Sequence, residues 1–175
     1  MSNYINQINT QKNTLYSNIL LLSRNKIFYT KFNLIDNFHN RIHLIFLHIS
    51  FIFIKIKQEN KNKIYKIFYQ EMFDLIFNKI EQNMREIGFG DVSINKNMRF
   101  LIKVFYNILL SCEKYRNMST DDKVLFFNKF LLQTKDRATF SKNSNIIKYF
   151  NKYDSFCFDL SSDSVLRGDL KFNYK

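Results

Sequence analysis

Proline is absent from this 175-residue chain, and glycine occurs only at Gly88, Gly90 and Gly168. Sandwiches and barrels turn often and tightly, and such turns draw on Gly and Pro. A phosphate loop or dinucleotide fingerprint needs several glycines in one place. Both classes are therefore disfavoured. Cys112 and Cys157 are the only cysteines, lie far apart and form no CxxC, so no disulfide framework or cysteine metal site follows. A reduced cytoplasm suits such a chain. No apolar run reaches the about 20 residues that a spanning helix requires. The most apolar stretch, Ile42 to Ile54, contains His43, His48 and Ser50 and reads as a buried core helix. Residues 1–14 are polar, with no apolar segment behind a basic start, so no signal peptide is expected.

Acid is also in short supply, with 15 Asp and Glu against 27 Lys and Arg, a net charge of +12. That charge attracts anionic partners such as a membrane surface, RNA, the ribosome or an acidic protein. It also keeps a Phe-rich protein soluble without any partner. Trp is absent, Ala occurs once at Ala138, and Asn, Ile, Lys, Phe and Tyr are abundant, the pattern of AT-rich coding drift, which inflates the Lys count. With 46% hydrophobic residues the chain can bury a core, and its length suits one domain.

The periodicity is helical. Leu15, Ile19 and Leu22 share a face, widened by Leu20 and Leu21, and a short amphipathic piece follows near Lys26 to Phe32. From Asp36 a helix runs to Lys57 with apolar residues on both sides, as a central helix requires. Ile64, Phe68, Met72, Leu75, Ile76, Ile80, Met84 and Ile87 mark a long helix that stops at Gly88. The next carries Met98, Leu101, Ile102, Phe105, Ile108, Leu109, Cys112 and Tyr115 on one face. Ser119 to Asp122 is the N-cap signal of another, through Leu131, and Ile146 to Phe150 predicts one short helix. The expected fold is all-α: a single irregular bundle of about five or six helices. A polar segment over 1–12 precedes a helical domain over 13–150, and a loosely held tail over 151–175 follows.

Catalytic constellations are hard to assemble. All three histidines, His39, His43 and His48, fall on one helix. His39 and His43 stand four apart, but no acid lies between them as in HExxH and no third ligand is evident, so no metal or cofactor is expected. Nothing in the spacing supports a Cys112–His48 nucleophile pair, and Glu71 and Asp74 are placed for pairing with Lys more than for acid–base work. The reading is not an enzyme. Lys55, Lys57, Lys61, Lys63 and Lys66 form the densest basic cluster, opposed only by Glu59. It is either a solvated inter-helix loop or an anchor for phosphate headgroups. No helix-turn-helix, RNP motif or zinc finger is present, so DNA is not an expected partner.

The most unusual segment is Arg85-Glu86-Ile87-Gly88-Phe89-Gly90-Asp91-Val92-Ser93-Ile94-Asn95-Lys96. A tight turn accounts for part of it: Gly88 stops one helix, Gly90 allows the reversal and Ser93 caps the next. It does not account for Phe89 or for the frame of Arg85, Glu86, Asp91 and Lys96. These form either a local salt-bridged clasp or a face for a partner.

This segment resembles the ubiquinol-cytochrome c chaperone family, in which a long helix ends in an Arg-Glu-hydrophobic-Gly-hydrophobic-Gly-Asp turn. A Ser-x-x-Lys step, here Ser93 and Lys96, then Met98 and the Phe105-Tyr106 pair, continue the likeness. Upstream, Leu15-Tyr16, Phe28-Tyr29 and Leu47-His48 also fit, so it covers about Leu15 to Leu132. The chain departs from it at Ile56 and Lys57, where an Arg-rich helix end is expected, and in its heavier aromatic load. The resemblance implies an all-α, non-enzymatic assembly factor of respiratory complex III that holds newly made cytochrome b. It also implies Arg85, Glu86, Phe89, Asp91 and Lys96 as partner-binding residues, peripheral contact with an anionic membrane, and in mitochondria the ribosome and a second assembly factor as partners. The expected location is bacterial cytoplasm at the inner membrane, or the matrix side of the mitochondrial inner membrane. The reading from another class is a basic helical RNA- or ribosome-binding module.

Overall fold

A computed structural model describes residues 2–58, 63–132, 140–141 and 144–174, with only the backbone course for 2–9 and 63–65. Helices α1 (Ser2–Ser23), α2 (Ile27–Thr30), α3 (Phe38–Gln58), α4 (Lys63–Glu86) and α5 (Asp91–Glu113) come first. A 3-10 turn (Tyr115–Asn117), then α6 (Thr120–Phe130), α7 (Asn145–Asp159) and α8 (Ser162–Leu166) complete the described chain. Six of these helices exceed ten residues, and the described residues contain no β-sheet. The fold is all-α. Helix α1 reaches back through the polar stretch assigned to 1–12.

Helix α3 is the axis. Every residue from Ile42 to Phe53 is buried, and α1, α4, α5, α7 and α8 pack on it. Two-sided apolarity in the sequence becomes burial on all sides. With one Ala in the chain, large rings fill the core: Phe46, Phe53 and Phe105 on one side of α3, Phe28, Tyr149, Phe150 and Tyr153 on the other. Each such side chain contributes about 1.5–3 kcal/mol by burial. Edge-to-face pairs such as Phe28–Tyr149, with centroids 4.9 Å apart, add about 0.5–1.5 kcal/mol each.

The buried Ser50 and Asn40 of α3 are matched to backbone. Ser50 Oγ donates to the Phe46 carbonyl at 2.7 Å. Asn40 donates to the carbonyls of Ile35 and Leu132 and accepts from the Leu132 N–H, which ties the chain after α6 to the start of α3. Ser119 caps α6, as the sequence predicts, and Asp122 reaches back to complete a full capping box.

The loosely held tail is corrected. Helix α7 runs across the 150/151 division to Asp159 and buries Tyr149, Phe150, Tyr153 and Cys157. Ser161 caps α8, and Val165 and Leu170 are buried. The rings of Phe172 and Tyr174 lie 5.4 and 5.0 Å from Tyr149. Aromatics that look scattered along the sequence converge on one spot in space. Gly168, at φ +77°, makes this possible: a Cβ there would stand 2.9 Å from the Leu15 N atom of α1. Asn18 Nδ2 seals the contact by donating to the Gly168 carbonyl at 2.7 Å.

Candidate functional site

The α4–α5 turn is built around Gly88. Its φ of +92° is the left-handed conformation that closes a helix. The Phe89 N–H returns to the Met84 carbonyl and the Gly88 N–H to the Arg85 carbonyl, the two bonds of a Schellman motif. Gly90 has φ −73° and ψ 155°, open to any residue, so it does not make the reversal. Ser93 is not the cap. Helix α5 begins at Asp91, with Gly90 at the cap position and no side-chain cap bond. The Schellman turn completes the reversal so quickly that Ser93 lies in the first turn, exposed, where its Oγ accepts from Asn97 Nδ2 at 3.3 Å. Asp91 supplies the negative group that the helix dipole favours there.

Part of the charged frame is a clasp. Arg85 bridges Glu81 on its own helix at 2.8 Å and Asp91 across the turn at 2.6 Å. Both pairs are exposed to water. Glu86 and Lys96 are exposed, and no acid or base among the described residues pairs with them. Ile87 and Phe89 also face solvent, 63% and 42% exposed.

The outer face of α5 continues this surface. Val92, Lys96, Arg99, Lys103, Tyr106 and Leu110 follow at steps of four, three, four, three and four, and all are exposed. Phe100 stands beside them, 57% exposed. Lys96, Arg99 and Lys103 have no acidic partner among the described residues. The sequence reading followed the buried stripe and missed this one; the signal was four apolar residues on the side of α5 opposite its core face.

Tyr106 and Leu110 lead into an apolar groove of about 420 Å³ between α3, α4 and α5, floored by Phe53, Ile56, Tyr69 and Leu109. Burial pushes the Tyr69 phenol up to about 12. Lys57 crosses the rim to Glu113 at 2.6 Å, and Lys66 stands at the edge. The basic cluster is thus partly committed. Lys57 is paired, and Lys55 donates to the Phe158 carbonyl at 3.0 Å and lies over that ring. Lys61 and the Lys63 side chain lie outside the described residues.

The histidines serve the core. His39 Nε2 and His43 Nδ1 both donate to the Phe130 carbonyl, at 3.2 and 2.7 Å. Burial, then the neighbouring His39, lowers His43 to about 4 against the pull of that bond. His48 donates from Nδ1 to the Leu44 carbonyl at 2.6 Å and accepts the Tyr149 hydroxyl at Nε2, 2.8 Å away. Burial lowers it to about 4 as well. Cys112 is buried with its thiol pushed well up. Among the described residues no group of three or more His, Cys, Asp or Glu could hold a metal ion.

The family model described as ubiquinol-cytochrome C chaperone matches residues 30–172. The crystal structure of the Cbp3 homolog from Brucella abortus superposes with a TM-score of 0.83 at 19% identity. The match covers 99% of this chain and 94% of that one, and at this identity it speaks for the fold. No curated protein matches the chain by sequence.

Proposed function

The chain belongs to the ubiquinol-cytochrome c chaperone family, and from that premise we propose that it holds newly made cytochrome b at a membrane surface during assembly of respiratory complex III. The observation that carries this reading is the family match, which spans the bundle from α2 to the packed C-terminal segment. The physical need is direct: an apolar membrane protein that has yet to acquire haem is prone to misassembly, and a helper beside the membrane limits it. The surface described above is suited to such a client. Glu86, Phe89 and Lys96 are unpaired and exposed at the turn, Arg85 and Asp91 fix its shape, and the groove under Tyr106 and Leu110 offers apolar contact. The work is binding and not catalysis.

No helix among the described residues is long and apolar enough to cross a membrane, so contact with the bilayer is peripheral in this reading. The location is the cytoplasmic face of a bacterial inner membrane, or the matrix face in mitochondria, where the ribosome exit and a second assembly factor join as partners. A tagged copy isolated from gently solubilised membranes should bring cytochrome b with it. Cells lacking the gene should lose the haem b absorbance of complex III and regain it on complementation. Recovery of RNA in place of a cytochrome would favour the RNA-binding reading, which the unpaired Lys96, Arg99 and Lys103 keep in play.

A further inference from the structure

We propose that the outer face of the N-terminal half of α5 is a lipid-docking face, which seats the phosphate headgroups of an anionic bilayer against Lys96, Arg99 and Lys103 while Val92 and Phe100 dip into the interface. The inference rests on the reading of the protein as working at a membrane surface and names the face that meets it.

Three observations converge. The cations are unpaired among the described residues, whereas the two acids that end α5 are occupied, Asp91 by Arg85 and Glu113 by Lys57. The three cations stand with Val92, Asn95 and Phe100 around one shallow depression of about 520 Å³, room for a headgroup. The apolar members stand out in water: Val92 is 86% exposed and Phe100 57%, and Ile87, five residues before Val92 in the preceding turn, is 63% exposed. From Val92 to Lys103 the stripe extends roughly 16 Å at 1.5 Å per residue, enough to span several headgroups.

Charge alone would suit RNA equally. The apolar component decides between them. Bases stack on aromatic rings, which Phe100 alone of these apolar members provides; Val92 and Ile87, both more exposed than Phe100, are aliphatic and offer no stacking surface. An amphipathic helix face with basic residues beside apolar ones is the arrangement that lies in a bilayer interface.

The test uses the full chain and vesicles of phosphatidylcholine, alone or mixed equally with phosphatidylglycerol. Each cation at an anionic surface is worth about fivefold in partitioning, so three give on the order of a hundredfold. Joint replacement Lys96→Glu, Arg99→Glu and Lys103→Glu should lower affinity for the mixed vesicles by at least that factor. A control, Lys31→Glu with Lys148→Glu and Lys171→Glu, changes the net charge of +12 by the same amount, two per substitution, at exposed positions elsewhere. It should lower affinity far less. Equal losses would overturn the proposal, because net charge and not this face would then be responsible.

Because the chain has no Trp, Phe100→Trp creates a single reporter. Its emission should shift to the blue on the mixed vesicles and stay unchanged on phosphatidylcholine. Leu21→Trp, 72% exposed on α1, should not respond. A shift at Leu21→Trp, or none at Phe100→Trp, sinks the idea. So does tight binding of single-stranded RNA that the triple variant abolishes while vesicle binding persists. No cytochrome b is present in these assays, so a failed chaperone reading with a positive vesicle result, or the reverse, is recognised as such.

Discussion

Asn40 and Leu132 exchange a pair of hydrogen bonds: the Asn40 amide donates to the Leu132 carbonyl at 2.7 Å and accepts the Leu132 N–H at 2.9 Å. One fully buried side chain thereby acts as a strand partner for the segment leaving α6. Asn40→Ala should cost about 2–4 kcal/mol, since it strands backbone groups that lose their partner. Urea unfolding measures this, and a loss under 1 kcal/mol would show that water replaces the amide at no great cost.

The two glycines of the α4–α5 turn should respond differently. Gly88→Ala forces a Cβ into φ +92° and should destabilise by about 1 kcal/mol. Gly90→Ala meets open space at an ordinary φ, and its gain in chain entropy is offset by the poorer N-cap that Ala makes for α5, so the net effect should be within about 0.5 kcal/mol of zero. Thermal unfolding of the two variants side by side decides it; equal effects would contradict the assignment of the reversal to Gly88.

Acid should weaken the fold before carboxylates titrate. His43 and His48 are held near 4 in the folded chain against an ordinary 6.5. Between those values the unfolded chain binds more protons, so stability is complete above pH 6.5 and declines as pH falls toward 4. At pH 5 the loss is about 2 kcal/mol for each of the two. The slope of unfolding free energy against pH should therefore be positive across this range, and His43→Gln should flatten it by about one proton. A curve that is level from pH 7 to pH 5 would mean that these imidazoles reach water or an acceptor when protonated.

Arg85 and Asp91 test the recognition role assigned to the turn. Their ion pair is exposed, and such pairs contribute about 0–1 kcal/mol. Replacing both with Ala should leave unfolding nearly unchanged and still reduce the haem b spectrum of membranes from a complemented deletion strain. Loss of folding would make the clasp a requirement of the bundle and not of client contact; normal folding with a normal spectrum would remove these residues from client contact.

The helices were legible because their signal is local. Leu15 with Ile19, or Leu101 with Phe105 and Ile108, announces a buried face within two turns of chain. The helix stop at Gly88 and the cap at Ser119 were legible for the same reason, whereas the reversal expected at Gly90 belongs to Gly88, whose φ is the positive one. Ser93 misled because capping residues are also common in a first turn, and only the φ and ψ of Gly90 show where α5 starts. The C-terminal segment was read as loose because its order comes from distant partners: Tyr174 packs on Tyr149, and Gly168 meets Leu15 on α1. The outer face of α5 was obscured by its own composition, since Lys on a helix reads as solvated until its neighbours in space are known to include no acid.

Cys112 and Cys157 give the bundle a built-in clock. Both thiols are buried, and burial raises their ionisation far above the solution range, so neither reacts while the helices stay closed. Modification by a thiol reagent must then wait for α5 or α7 to open. When reclosing outruns the reagent, the rate measures the equilibrium of that opening; when the reagent is in excess, it measures how often the helix leaves its seat. The two cysteines lie on different helices, so their two rates would report whether α5 and α7 part from α3 as one cooperative unit or separately.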